Sequence, residues 1–131
     1  MIKVAICDDD IQFIYKLEQS IFRFAEMKRI KVDVDGYTSG AEFIQKLQQS
    51  ERYDLLFLDI ELGASSGIIV GNWIRSQIQY ESMQIVFVSA KEMYAMQLFD
   101  LRPMNFLVKP IQQERVDYIL DEYERLYQFQ P

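Results

Sequence analysis

Four short apolar runs in this chain each end in a group that could serve one and the same reaction. Residues 2–7 run into Asp8-Asp9-Asp10, residues 54–60 deliver Asp59, residues 84–88 stop at Ser89, and residues 106–108 stop at Lys109-Pro110. A carboxylate can attack phosphorus and become an acyl phosphate if its charge and that of the incoming group are neutralised. Mg²⁺ can provide that neutralisation, because it prefers oxygen ligands and is held by one or two carboxylates plus phosphate oxygens, which Asp8, Asp9 and Asp59 could supply. Mn²⁺ accepts the same donors. Phosphoryl transfer then needs mainly positioning and charge stabilisation. Lys109 offers a point charge for one phosphoryl oxygen and the Ser89 hydroxyl a hydrogen bond for another. Each feature alone has a plainer reading, the Asp pair and Ser89 as helix caps and Lys-Pro as a solvated turn. Their convergence on four strand ends favours chemistry, with Asp59 as the group phosphorylated.

The elements that must position these groups are legible in the hydrophobic pattern. The run at 54–60 is almost continuously apolar, as a parallel strand covered by helices on both faces should be. It stops at a loop containing Gly63 and Gly67. A strand over about 2–7 leads to a helix over about 11–27 with Asp10 as N-cap. That helix turns Ile14, Leu17, Ile21, Phe24 and Ala25 to the core and leaves Ile11, Tyr15 and Phe22 as a second stripe. An edge strand over about 31–37 alternates Val32, Val34 and Tyr37 with charged residues. Ser39 and Glu42 have capping-box spacing for a helix to about 49. A third helix from about 68 packs through Val70, Trp73, Ile74 and Ile78. A fourth, over about 91–101, turns Tyr94, Leu98 and Leu101 inward and Met93, Met96, Gln97 and Asp100 outward, and Pro103 stops it. A fifth, over about 111–128, packs through Val116, Ile119, Leu120, Tyr123 and Tyr127. Five alternating β and α units predict an α/β doubly wound parallel sheet, in which ligands bind beyond the carboxyl ends of the strands.

Composition narrows the function classes. At 131 residues the chain is expected to be one domain, and no apolar run approaches the roughly 18 residues of a membrane span. Lys3 leads directly into a strand pattern, so no secretory leader is expected. A net charge of -6 argues against direct binding to a phosphate backbone, so any DNA work falls to a further segment. Cys7, the one cysteine, excludes an internal disulfide and suits a reducing cytoplasm as a buried strand residue. With no histidine in the chain, triads, His metal sites and an internal phosphohistidine are excluded. Chemistry falls to carboxylates, Ser89 and Lys109. Three crowded carboxylates repel one another, so Asp8→Asn is expected to raise stability in the absence of metal.

On these residues the chain resembles the receiver domain of two-component response regulators, over essentially its whole length. The family pattern is an acidic pair after the first strand, a phosphoaccepting Asp after the third, Ser or Thr after the fourth, an aromatic in the fifth and Lys-Pro after it. Here these fall on Asp8 and Asp9, Asp59, Ser89, Phe106, and Lys109-Pro110. Ile-Cys-Asp-Asp-Asp, Phe-Leu-Asp-Ile-Glu-Leu and Phe-Leu-Val-Lys-Pro-Ile resemble the LytTR-output subclass, in which a DNA-binding domain follows the receiver. The resemblance implies a flavodoxin-like (CheY-like) five-stranded sheet of order 2-1-3-4-5. It also implies a Mg²⁺ ligand from the Glu61 backbone carbonyl, a cis bond before Pro110, and a sensor histidine kinase as partner. That kinase would dock beside the stripe on the first helix. It further implies a switch in which Ser89 moves toward the phosphoryl group and Phe106 turns inward. Self-association through the fourth helix, fifth strand and fifth helix would follow, with Met93, Met96, Met104 and Tyr118 as surface. The loop 61–67 lacks the proline usual in the family. Two other readings stay open: a phosphatase of the haloacid-dehalogenase type, with Asp8-Asp9-Asp10 as its Asp-x-Asp, and a receiver-like interaction module that is never phosphorylated.

Overall fold

The computed structural model describes residues 1–128, apart from the side chains of residues 93–96. Strands β1 (Ile2–Cys7), β2 (Val32–Tyr37), β3 (Leu55–Asp59), β6 (Gln84–Ser89) and β7 (Asn105–Val108) form one parallel sheet of order β2-β1-β3-β6-β7. With the two-residue strands β4 (Glu61–Leu62) and β5 (Ser65–Ser66) set aside as a small antiparallel hairpin, this is the expected order 2-1-3-4-5.

The central strands are buried on both faces, and their alternation divides the core in two. Val4, Ile6, Leu55, Phe57, Val86 and Val88 face helices α1 (Ile11–Lys28) and α4 (Gln113–Tyr127), whose Leu17, Ile21, Phe24, Val116, Ile119 and Leu120 complete that layer. Ala5, Cys7, Leu56, Leu58, Ile85 and Phe87 face α2 (Gly40–Gln48), α3 (Gly67–Arg75) and a 3₁₀ helix over Glu92–Leu101. Residues of this kind contribute roughly 1.5–3 kcal/mol each when fully buried, so the sheet is pinned from both sides. The strand ends that carry polar groups are therefore fixed by the most stable part of the molecule.

Local signals set the helix boundaries. Asp10 caps α1 by accepting from the Gln12 and Phe13 amides at 3.0 and 3.3 Å. Arg29 ends that helix in the left-handed region at φ 57°. Ser39 caps α2 through the Glu42 amide, and Ser66 caps α3 through the Ile68 amide.

Four expectations are corrected. Ile78 does not pack: α3 ends at Arg75, and Ile78 lies 85% exposed in the 3₁₀ turn Ile78–Tyr80 that follows. The fourth helix is 3₁₀ rather than α, and its buried Leu98 and Leu101 are three residues apart, the period at which side chains eclipse in that form. Tyr127 is half exposed at the end of α4, whereas Val116, Ile119, Leu120 and Tyr123 are buried as expected. Met104 is half-buried and packs on the α1–α4 core rather than adding to a surface patch. The side chains of Met93, Tyr94 and Met96 lie outside the described residues. The Ile11, Tyr15 and Phe22 stripe is exposed on α1.

Cys7 is fully buried, and burial first, then the nearby Asp8 and Asp59 carboxylates, push its thiol up to about 12. The thiolate is the reactive form, so the native protein should resist a disulfide-exchange reagent at pH 8 and react only after unfolding. Rapid stoichiometric reaction of folded protein would contradict this placement.

Candidate functional site

The carboxyl ends of β1, β3, β6 and β7 meet at one edge of the sheet. Asp8 follows β1 and is anchored at both ends: its amide donates to the Tyr37 carbonyl at 2.9 Å, and its Oδ1 accepts from the Asp10 amide at 2.8 Å. Asp59 closes β3, where its Oδ1 accepts from the Glu61 amide at 3.1 Å. Ser89 closes β6, its Oγ accepting from the Lys91 amide at 3.0 Å. Lys109 follows β7, with its amide donating to the Ser89 carbonyl at 2.8 Å and a cis bond to Pro110.

These side chains converge. Asp8, Asp9 and Asp59 each bring a carboxylate oxygen within 4.8 Å of the others. Lys109 Nζ lies 2.9 Å from Asp8 Oδ2 and 3.3 Å from Asp59 Oδ2, and 4.2 Å above the centre of the Phe13 ring. Asp8 Oδ2 is buried, and the Lys109 ammonium is its ion-pair partner. Three carboxylates gathered around one lysine leave negative charge that a hard, oxygen-preferring cation would neutralise, so the donor set fits Mg²⁺.

The electrostatics follow from burial. Asp59 is 4% exposed, and desolvation pushes its carboxyl up to about 6. The Glu61 amide pulls the other way, Asp8 adds repulsion, and Lys109 offsets part of it. Burial lowers the Lys109 ammonium, but Asp8 and Asp59 outweigh that and leave it raised, so it is cationic at neutral pH. Phe106 is half-buried against the α2–α3 core and pairs in register with Phe87, two residues before Ser89.

Apart from Phe106, which sits within β7, the predicted site residues lie at this edge, and two further features belong to the site. The Glu61 side chain reaches the site as well as its backbone: Ser89 Oγ donates to Glu61 Oε1 at 3.3 Å. Residues two apart on an extended chain point the same way, so its spacing from Asp59 was an available signal. Gly67 also belongs here, since its amide donates to the Ile60 carbonyl at 2.8 Å and its Cα lies against the Asp59 backbone. The β4–β5 hairpin closes the loop that lacks proline, pairing Glu61 with Ser66 and Leu62 with Ser65.

The phosphatase reading fails on geometry. Asp10 serves as a helix cap, Asp117 accepts from Gln113 within α4 at 2.9 Å, and Asp121 pairs with Lys28 at 3.3 Å. Neither Asp117 nor Asp121 completes a second carboxylate pair at the site.

A parallel sheet of this order with an acidic cluster and a lysine at its carboxyl edge defines a receiver. The chain belongs to the response regulator receiver domain family, whose model matches residues 4–121. The sensory transduction protein LytT of Bacillus cereus is 30% identical over 131 residues, which are 99% of this chain and 50% of that protein. The chain thus spans about half the length of this curated relative. The response regulatory domain of MrkE from Klebsiella pneumoniae superposes with a TM-score of 0.82 at 23% identity, covering 98% of this chain and 99% of that one. The response regulator TrrA from Thermotoga maritima, solved with Mg²⁺ and BeF, superposes at 0.75 with 23% identity, covering 93% and 98%. Among the described residues, no helix is long and apolar enough to cross a membrane.

Proposed function

We propose that Asp59 accepts a phosphoryl group from a sensor histidine kinase and that the aspartyl phosphate switches an output. The observation that carries this is the meeting of Asp8, Asp9 and Asp59, with carboxylate oxygens within 4.8 Å of one another, and of Lys109, ion-paired to Asp8 and Asp59, at one sheet edge. A carboxylate oxygen of Asp59 forms the new O–P bond while the bond from phosphorus to the donor's leaving atom breaks, and the leaving group keeps the electron pair. Asp8, Asp9, Asp59 and the Glu61 carbonyl would hold Mg²⁺ (or Mn²⁺), which supplies charge neutralisation for the phosphoryl oxygens. Lys109 pairs with Asp8 and Asp59, and from there its charge would offset the same phosphoryl oxygens. The TrrA structure, with Mg²⁺ and BeF, supports such a state on this fold. The chain promotes only its own phosphorylation and hydrolysis and turns over no other substrate.

Downstream, Ser89 turns toward the phosphoryl group and Phe106 moves inward. This reshapes the surface of the 3₁₀ helix, β7 and α4, where Tyr118 stands 51% exposed beneath the Arg115 guanidinium. Self-association through that surface, docking of the kinase beside Ile11, Tyr15 and Phe22, and transcriptional output through a DNA-binding segment beyond residue 131 complete the reading. All of it takes place in the cytoplasm. Incubation with acetyl phosphate and Mg²⁺ should add one phosphoryl group by intact mass. Asp59→Asn and excess chelator should each abolish the addition. Undiminished labelling of Asp59→Asn would overturn the assignment.

A further inference from the structure

Ser89 is fully buried, and its hydroxyl is already engaged: Oγ accepts from the Lys91 amide at 3.0 Å and donates to Glu61 Oε1 at 3.3 Å. The other carboxylate oxygen of Glu61 lies 3.6 Å from Lys91 Nζ. Lys91 therefore holds both partners, Ser89 through its backbone and Glu61 through its side chain. The hairpin pairing with Ser66 fixes the Glu61 backbone, and the Glu61 amide in turn holds Asp59 Oδ1 at 3.1 Å. A serine hydroxyl has one proton to give. It cannot be donated to Glu61 and to a phosphoryl oxygen at once.

We infer that the Glu61 side chain, tied to Lys91, is a positioning residue that holds the Ser89 hydroxyl away from the phosphoryl oxygens and so restrains the unphosphorylated form. The inference rests on the proposed role of Ser89 and adds the group that competes for its proton. The side chains of Glu61 and Lys91 are 42% and 54% exposed, so their pairing is solvent-screened and easily given up. A restraint of that strength tunes the switch without locking it. Glu61 must release Ser89 when the phosphoryl group arrives, and the carboxylate then stays with Lys91 at the mouth of the site.

Beryllofluoride with Mg²⁺, followed by fluorine NMR, tests this in four proteins: wild type, Glu61→Ala, Ser89→Ala and the double variant. Glu61→Ala should bind the mimic about three- to fivefold more tightly than wild type, the upper part of the range expected for losing one screened contact. With Ser89 already alanine, the same change should shift affinity by less than about twofold, because the two act through one hydrogen bond. Lys91→Met, which frees Glu61 without removing it, should tighten binding in the same direction. An equal gain with and without Ser89 would mean that Glu61 acts by charge repulsion alone, and this overturns the inference. So would an unchanged affinity in Glu61→Ala. A wild type that neither binds the mimic nor accepts phosphate overturns the functional reading and the inference together, whereas a wild type that does both isolates the inference for judgement.

Discussion

Gly67→Ala is expected to cost about 3–4 kcal/mol, enough to remove a large share of the stability of a domain this size. A Cβ at this position would enter the van der Waals shell of the Asp59 carbonyl oxygen and lie 2.9 Å from the Asp59 carbonyl carbon and from Ile60 Cα. These are backbone atoms at the end of a fully buried strand, so they cannot swing aside as a side-chain tip would. Relief requires α3 and the end of β3 to part, which also displaces Asp59. Gly63→Ala is the control. Gly63 has φ +65°, and its added Cβ would meet only the Asp9 carboxylate at 3.2 Å, a side chain on an exposed residue. Its cost should stay near 1 kcal/mol, the usual penalty for a left-handed non-glycine residue. Urea denaturation of both variants in chelator checks the pair. A Gly67→Ala midpoint within error of wild type would mean that the approach of α3 to β3 is not tight.

The contrast between those glycines shows what a sequence can and cannot display. Asp59, Ser89 and Lys109 were readable because each ends an apolar run, and a doubly wound sheet sends every strand end to one edge. The core faces of α1 and α4 were readable from a 3.6-residue period. Gly67 looked like a loop residue, because the sequence cannot state how closely a helix start approaches the strand before it. Ile78 fitted the helical period of α3, but the helix ends three residues earlier, with Ser76 as its C-cap. The 3₁₀ form of Glu92–Leu101 was hidden for a related reason: Leu98 and Leu101 satisfy a three-residue and a 3.6-residue period equally well. The Glu61 side chain is harder to read from sequence, because nothing in the loop pattern shows that it folds back onto Ser89.

Without metal, stability should fall as pH rises from about 4 to about 6, and Asp59→Asn should remove most of that fall. Burial raises the Asp59 carboxyl from its ordinary 3.8 to about 6, with Asp8 adding to the rise and the Glu61 amide and Lys109 opposing it. Between those values the folded chain keeps a proton that the unfolded chain has released. Raising the pH therefore favours unfolding, and the whole cost is present above the folded value. On the order of 1–3 kcal/mol of that cost should be recovered at pH 7 by Asp59→Asn. Repulsion among three carboxylates made Asp8 the first candidate for neutralisation, but Asp8 is the closer partner of Lys109, at 2.9 against 3.3 Å. Asp8→Asn gives up that pairing as it relieves the repulsion, so its gain should be the smaller of the two. Mg²⁺ should restore the wild type above pH 6 by neutralising the same charge, and should do less for Asp59→Asn. Denaturant titrations at pH 4.5, 6 and 7.5 in chelator, repeated with Mg²⁺, give the comparison. A metal-free wild type whose stability climbs steadily from pH 4.5 to 7.5 while Asp59→Asn gains nothing would mean that Asp59 is as well stabilised folded as unfolded, and the case for a charge-starved phosphoacceptor would fall with it.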